Sequence, residues 1–285
     1  MDFFKEKYKG VFFIIMSAFG FALMSAFVKL AGDIPSIQKT LFRNIISCLV
    51  ALFFVIKNRQ LFFGKKENQK VLILRSGLGT LGILFNFYAI DYLILSDANM
   101  LNKISPFFVI IFSAIILKEK VNKTQIIAII IAFLGALFII KPTFQVDLVP
   151  YLAGIFGAVF AAGAYTCLRY LGNKENHYTI VFYFSLFSTL VIAPFVVFNF
   201  QPMSIKQVIY MLLAGIFASI GQFGVTLAYK YAPAREISIF DYTNIIFSAI
   251  LGFFLFNAIP DKFSIIGYLI IFGASYYMFK QNKKR

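Results

Sequence analysis

The feature that most constrains this chain is a succession of apolar runs, each about 20 residues long, interrupted by short segments that carry Lys and Arg. A helix of that length spans roughly 30 Å of hydrocarbon, and the runs are continuously apolar rather than alternating, which favours helices over a membrane barrel. Taken as helices, they cover residues 10–30, 37–56, 71–92, 98–117, 124–140, 150–171, 178–198, 208–231, 237–256 and 263–279. Composition agrees. The 285 residues are 60% hydrophobic and 14% charged, with a mean hydropathy of +0.83, where soluble domains carry about 25% charged residues. The expected fold class is all-α, a polytopic membrane protein of ten transmembrane helices, with too little chain outside them for a soluble catalytic domain. The first run follows a basic, polar lead without a convincing cleavage site, so it is expected to stay as a helix rather than be removed as a leader.

A net charge of +15 invites a nucleic-acid reading. Placement removes it. Most basic residues, among them Lys5, Lys57, Arg59, Lys65, Lys66, Arg75, Lys118, Lys120, Arg169, Lys174, Lys230, Arg235 and Lys280, fall in one alternate set of connections. Lys29, Lys39, Lys141, Lys206 and Lys262 fall in the other. By the positive-inside rule, this asymmetry puts both termini of a multi-pass inner-membrane protein in the cytoplasm. No basic face is left over for nucleic acid.

The chain also repeats itself. In one gapless register Tyr88 through Ile127 lie over Leu227 through Ile266, so that Ala89 meets Ala228, Tyr92 meets Tyr231, Phe108 meets Phe247 and Lys123 meets Lys262. Helices and connections coincide in that register, and Gly82 meets Gly221. Five helices per copy is an odd number, so the copies run upside down relative to one another. Residues 1–141 and 150–285 are then two inverted five-helix repeats, the signature of an alternating-access transporter with its substrate near mid-membrane.

The segment from Leu74 to Leu134 resembles the first EamA module of the drug/metabolite transporter superfamily. The features that match are Arg75 followed by a Gly-rich helix, Tyr88 and Ala89, Asp97 and Ala98, Ser105 and Pro106, and the closing Leu117-Lys118-Glu119-Lys120. Residues 152–277 resemble a second module, which departs from the first where Pro106 and Glu119 map onto Ile245 and Ala258. The resemblance implies ten helices in inverted five-helix repeats and movement of small metabolites. It singles out no substrate, since similar proteins carry amino acids, nucleotide-linked metabolites, vitamins and drugs.

Polar residues inside the runs carry the most local information, because a charge facing lipid at mid-membrane costs at least ~2.5–3.5 kcal/mol on insertion scales. Arg43, with Asn44 and Ser47, gives the second helix a polar face. Asn99, Asn102 and Ser105 recur every third position in the fourth helix beside Lys103, and their repeat counterparts are Ser238, Asp241 and Asn244. Both stripes are expected to converge at mid-membrane, with Tyr88, Tyr165, Tyr183 and Tyr242 contacting the apolar part of a solute. Asp241, read as the one acidic residue clearly within a helix, is the candidate for proton coupling or, through an ion pair with Arg43 or Lys103, for a gate. Pro106 is expected to bend the fourth helix, and Gly82 and Gly221 to act as hinges or cavity walls. Small-residue stripes such as Ala18, Ala22 and Ala26, or Ala153, Gly157 and Ala161, are expected to pack helices together. A buried polar network that only sets helix register is the alternative reading of the stripes.

Other chemistry has little to build on. His177 is the single His and is placed in a connection, Cys48 and Cys167 lack metal-ligand spacing, and there is no Gly-rich phosphate loop. Glu119 is expected either to pair with Arg75 or Arg59 or to stay solvated. The expected function is secondary or facilitative transport of a small polar organic metabolite, an amino acid or a related aromatic or nucleoside-bearing compound. The expected binding residues are Arg43, Asn44, Asn99, Asn102, Lys103, Tyr165, Asp241 and Asn244. A zwitterion or an anion bearing an aromatic group fits these charges better than a lipophilic dication. No cofactor or metal is expected. The expected partners are the substrate and the lipid bilayer, without nucleic acid, and the default working unit is a monomer. The alternatives are a multidrug exporter and, less favoured, an integral membrane enzyme acting on lipid-linked substrates.

Overall fold

The computed structural model describes residues 2–116, 123–140, 148–172, 174–231 and 240–283. Among these residues the chain forms helices and no strand. The helices are α1 (Asp2–Leu30), α2 (Ser36–Lys57), α3 (Gln69–Tyr92), α4 (Leu95–Asn102), α5 (Ser105–Ile116) and α6 (Lys123–Ile140). They continue with α7 (Val149–Leu171), α8 (His177–Phe198), α9 (Ile205–Tyr231), α10 (Thr243–Phe256) and α11 (Lys262–Lys283). Among the described residues, seven stretches are long and apolar enough to cross a membrane: Tyr8–Leu30, Ser36–Lys57, Lys66–Tyr92, Leu95–Ile116, Val149–Leu171, His177–Phe198 and Ile205–Tyr231. Three shorter apolar helices lie at Lys123–Ile139, Thr243–Phe256 and Lys262–Ala274.

Local chemistry stops the helices. Gly32, at φ +67°, and Pro35 separate α1 from α2, because a left-handed residue and a missing N–H both end helical propagation. Pro150 opens α7, where its lack of an N–H is harmless, and Gly172 at φ +39° closes it. The Asn176 side chain accepts from the Tyr178 N–H and caps α8. The left-handed Asn257 closes α10, and the Ala258 N–H returns to the Gly252 carbonyl.

The fourth run departs from expectation. Instead of one helix over 98–117, bent at its proline, the chain forms α4, a turn at Lys103–Ile104, and then α5. Pro106 sits in the first turn of α5, where its missing N–H costs no intrahelical bond, so the break falls ahead of the proline rather than at it. In the repeat register Lys103 coincides with Tyr242, itself a turn residue directly before α10.

Burial is the reverse of a water-soluble protein. Phe12, Phe53, Ile115, Val197, Phe198, Ile205, Phe254 and Leu269 are exposed on the outside, while Lys39 and Arg43 are the two largest fully buried side chains among the described residues. An apolar exterior of this kind suits lipid, and a polar interior is then where side chains hydrogen-bond. Ala18, Ala22, Ala26, Ala128, Ala132, Ala136, Ala214 and Ala218 are all buried, so the small-residue stripes face neighbouring helices.

Those neighbours follow a pattern. α1 packs most extensively on α9 and then α10, α2 on α8 and α9, α3 on α7 and α8, α4 and α5 on α7, and α6 on α11. Every described helix before residue 141 therefore finds its main partner after residue 148. Glycines let these backbones touch. A Cβ on Gly20 would lie 2.9 Å from the Gly221 nitrogen, and one on Gly267 would lie 2.7 Å from the Gly135 carbonyl oxygen. Gly82 and Gly221 both sit in uninterrupted helical stretches, Gly82 beside the backbone of Ala161 and Gly221 under the Phe21 ring.

Candidate functional site

A polar chamber of about 80 Å³ lies among α1, α2, α3, α4, α7, α8, α9 and α10. Phe21, Met24 and Phe87 supply apolar wall, and Arg43, Arg75, Asn86, Asn99, Asn102, Lys103, Tyr165, Gln222 and Asn244 supply the polar lining. Typical small-molecule pockets occupy roughly 300–1,000 Å³. The chamber is smaller than such pockets.

Two arginines dominate it. Arg43 on α2 is 1% exposed and Arg75 on α3 is 2% exposed. Their guanidinium carbons lie 5.8 and 3.9 Å from the centroid of one ring, Phe184 on α8, as expected of cations drawn to an aromatic face. Arg43 Nη1 donates to Asn44 Oδ1, and Asn44 Nδ2 donates to Ser188 Oγ at 2.6 Å. Arg75 Nη2 donates to Gln222 Oε1 at 3.1 Å.

The two expected stripes meet. Asn99 accepts from Ser25 Oγ at 3.2 Å and donates to Ser248 Oγ at 3.0 Å, tying α4 to α1 and α10. Asn244 Nδ2 donates to the Ala18 carbonyl at 2.7 Å. Lys103 Nζ lies 2.7 Å from Asp241 Oδ2, and the Tyr242 hydroxyl donates to the Lys103 carbonyl at 3.0 Å. Of the two ion pairs weighed for Asp241, the one with Lys103 forms. Ser238 and Glu119 lie outside the described residues.

Several expectations are corrected. Asn44 and Asp241 do not line the chamber but hold Arg43 and Lys103, which do. Of the four tyrosines, Tyr165 alone lines it; Tyr88 faces a separate apolar groove, Tyr183 donates to Gln69, and Tyr242 is spent on the Lys103 carbonyl. Arg75, read as a connection residue, is buried inside α3. Lys39, also assigned to a connection, is buried against Asp91, which further accepts from Ser36 Oγ at 2.8 Å. Asp91 and the buried Asp97 lie within α3 and α4, so Asp241 does not stand alone as an acidic helix residue.

The EamA-like transporter family matches the chain twice, over residues 8–141 and 148–280. The chain belongs to that family. Among the relatives of this EamA-like transporter, the pseudopaline exporter CntI of Pseudomonas aeruginosa is 32% identical, over 92% of this chain and 93% of its own. Human solute carrier family 35 member G1 is 26% identical over 93% of this chain and 77% of its own. A solved crystal structure superposes with a TM-score of 0.68 over 94% of this chain and 98% of its own, and at 16% identity it bears on the fold alone. The protein is a membrane transporter and not an enzyme, which removes catalysis on lipid-linked substrates from the readings.

Sequence reasoning missed Arg75, Asn86 and Gln222 in this EamA-like transporter. A signal for Arg75 was present: it is followed by a Gly-rich stretch, Gly77, Gly79 and Gly82, on a helix where a large cation needs facing space. A Cβ on Gly79 would lie 3.1 Å from Arg75 Nη1.

Proposed function

We propose that this transporter moves a small polar organic metabolite, such as an amino acid or a related aromatic or nucleoside-bearing compound, by alternating access around the Arg43–Arg75 chamber. Transport is secondary or facilitative, through ten membrane-crossing helices arranged as two inverted five-helix repeats, residues 1–141 and 150–285, in the inner membrane with both termini cytoplasmic. The observation that carries the reading is the chamber itself, a small polar space walled by helices from both sides of residues 141–147. The packing pattern supports the repeat. If α1 corresponds to α7, α2 to α8, α3 to α9, α4 with α5 to α10 and α6 to α11, contacts should exchange in pairs. They do so for the first helix of each copy: α1 packs on α9 as α7 packs on α3. Lys103 and Tyr242, coincident in the repeat register, touch one another, as residues beside a two-fold axis do.

Arg43, Asn99, Asn102, Lys103, Tyr165 and Asn244 bind the solute, joined by Arg75 and Gln222, while Asn44 and Asp241 position Arg43 and Lys103. Breaking Lys103–Asp241 is one way for the chamber to open, in the manner of a latch. The exporter among the relatives favours outward movement. The test is a thermal-shift screen of the purified protein against a metabolite panel that includes pseudopaline, followed by counterflow in liposomes. One chemical class should stabilise the protein and be exchanged, with exchange lost in Arg43→Ala and altered in Asp241→Asn. Undiminished exchange in both variants overturns the site.

A further inference from the structure

Four buried polar atoms on residues lining the chamber have no hydrogen-bond partner among the described residues: Arg43 Nε, Arg75 Nε, Arg75 Nη1 and Asn86 Oδ1. Three are donors on cations and one is an amide acceptor. Unpartnered polar atoms at this depth are heavily penalised unless a ligand completes them. Charge tells the same story. Lys103 is balanced by Asp241, but no carboxylate among the described residues lines the chamber or pairs with either arginine. Asn44 and Gln222, the groups that do meet the arginines, are neutral.

We infer that the chamber takes a compact organic anion carrying two carboxylates and a hydroxyl or ammonium donor, that is, a hydroxy- or amino-dicarboxylate. This rests on the transport reading above and sharpens its substrate class. Each guanidinium keeps an unpartnered charged donor, Nε on Arg43 and Nε and Nη1 on Arg75, from which carboxylate oxygens can accept. Two cations without counter-charges call for two acid groups rather than one, so of the two expected solutes, a zwitterion and an anion bearing an aromatic group, the charges favour net negative charge, with a second carboxylate in place of the aromatic group. Asn86 Oδ1 calls for a donor on the solute, which separates hydroxy- and amino-dicarboxylates from plain ones. The chamber of about 80 Å³ favours a short carbon skeleton, because a longer one requires greater separation of the helices.

The experiment uses the purified full chain in liposomes with labelled L-malate, L-aspartate, succinate, glycerol 3-phosphate, L-leucine and L-lysine, together with thermal shift for binding. L-Malate and L-aspartate should stabilise the protein and be taken up, with succinate, which lacks the donor, weaker by about tenfold or more. Arg43→Gln and Arg75→Gln should each weaken binding by roughly tenfold or more. Asn86→Ala should erase the advantage of malate over succinate, a change of selectivity that general unfolding does not produce. Arg75→Lys, which keeps the charge without the fork, should retain part of the binding and serves where the Gln variant fails to fold. Uptake of leucine, lysine or glycerol 3-phosphate in vesicles that exclude the dicarboxylates overturns this inference and leaves the transport reading standing. Dicarboxylate uptake indifferent to both arginines also overturns it. If no solute in this panel or the wider metabolite panel binds or moves, the transport site itself falls.

Discussion

Replacing Asp91 by Asn tests how strongly the buried charges are coupled. Asp91 accepts from Lys39 and from Ser36 Oγ, the side chain of Lys39 is fully buried, and that of Asp91 is 19% exposed. Asn keeps the shape but removes the negative charge, leaving an ammonium enclosed by protein. Breaking a buried pair on one side costs about 3–5 kcal/mol, and the partial exposure of Asp91 puts the expected loss near the lower end, about 3 kcal/mol. For a chain of this size that corresponds to a fall in Tm of roughly 6–12 °C. Lys39→Met combined with Asp91→Asn removes the stranded charge and should recover most of the loss, since no uncompensated ammonium is then left enclosed. The assay is thermal unfolding in one detergent, followed by fluorescence-detected size exclusion, for the wild type, both single variants and the double. A single variant within about 1 °C of the wild type, or a double as unstable as the sum of the singles, refutes the reasoning.

Two other substitutions probe packing in the same assay. Gly221→Ala places a methyl group against the Phe21 ring and should cost about 1–3 kcal/mol, and Phe21→Ala should relieve part of it, so the double variant should be more stable than additivity gives. Tyr242→Phe removes the donor to the Lys103 carbonyl and should cost about 1 kcal/mol, read as a Tm fall of roughly 2–4 °C.

The elements legible in the sequence are those written in one-dimensional pattern. Continuous apolar runs locate most helices to within a few residues, and Arg43, Asn99, Asn102, Lys103 and Asn244 reach the chamber because a polar group inside such a run has nowhere else favourable to go. Charges near run ends were harder. Arg75 follows Lys65, Lys66 and Lys70 and counts with that basic connection for topology although the expected helix 71–92 already contains it; α3 begins at Gln69, which carries Arg75 inward by nearly two turns. Lys39 and Asp91 lie at opposite ends of the chain's second and third helices, and only tertiary packing makes them a pair. The tyrosines failed for a different reason. On helices that are apolar nearly all round, residue identity does not fix rotation about the axis, so Tyr88 turned toward an outer groove rather than the chamber.

The cross-wise packing has a consequence for biogenesis. α1 leaves the ribosome well before α9, its principal neighbour, and the gap between Leu30 and Tyr231 takes about 10–40 s to translate at roughly 5–20 residues per second. Throughout that interval, Arg43 and Lys39 sit in a nascent chain that cannot yet enclose them, so early insertion must proceed with lipid, translocon or water standing in for helices still unmade.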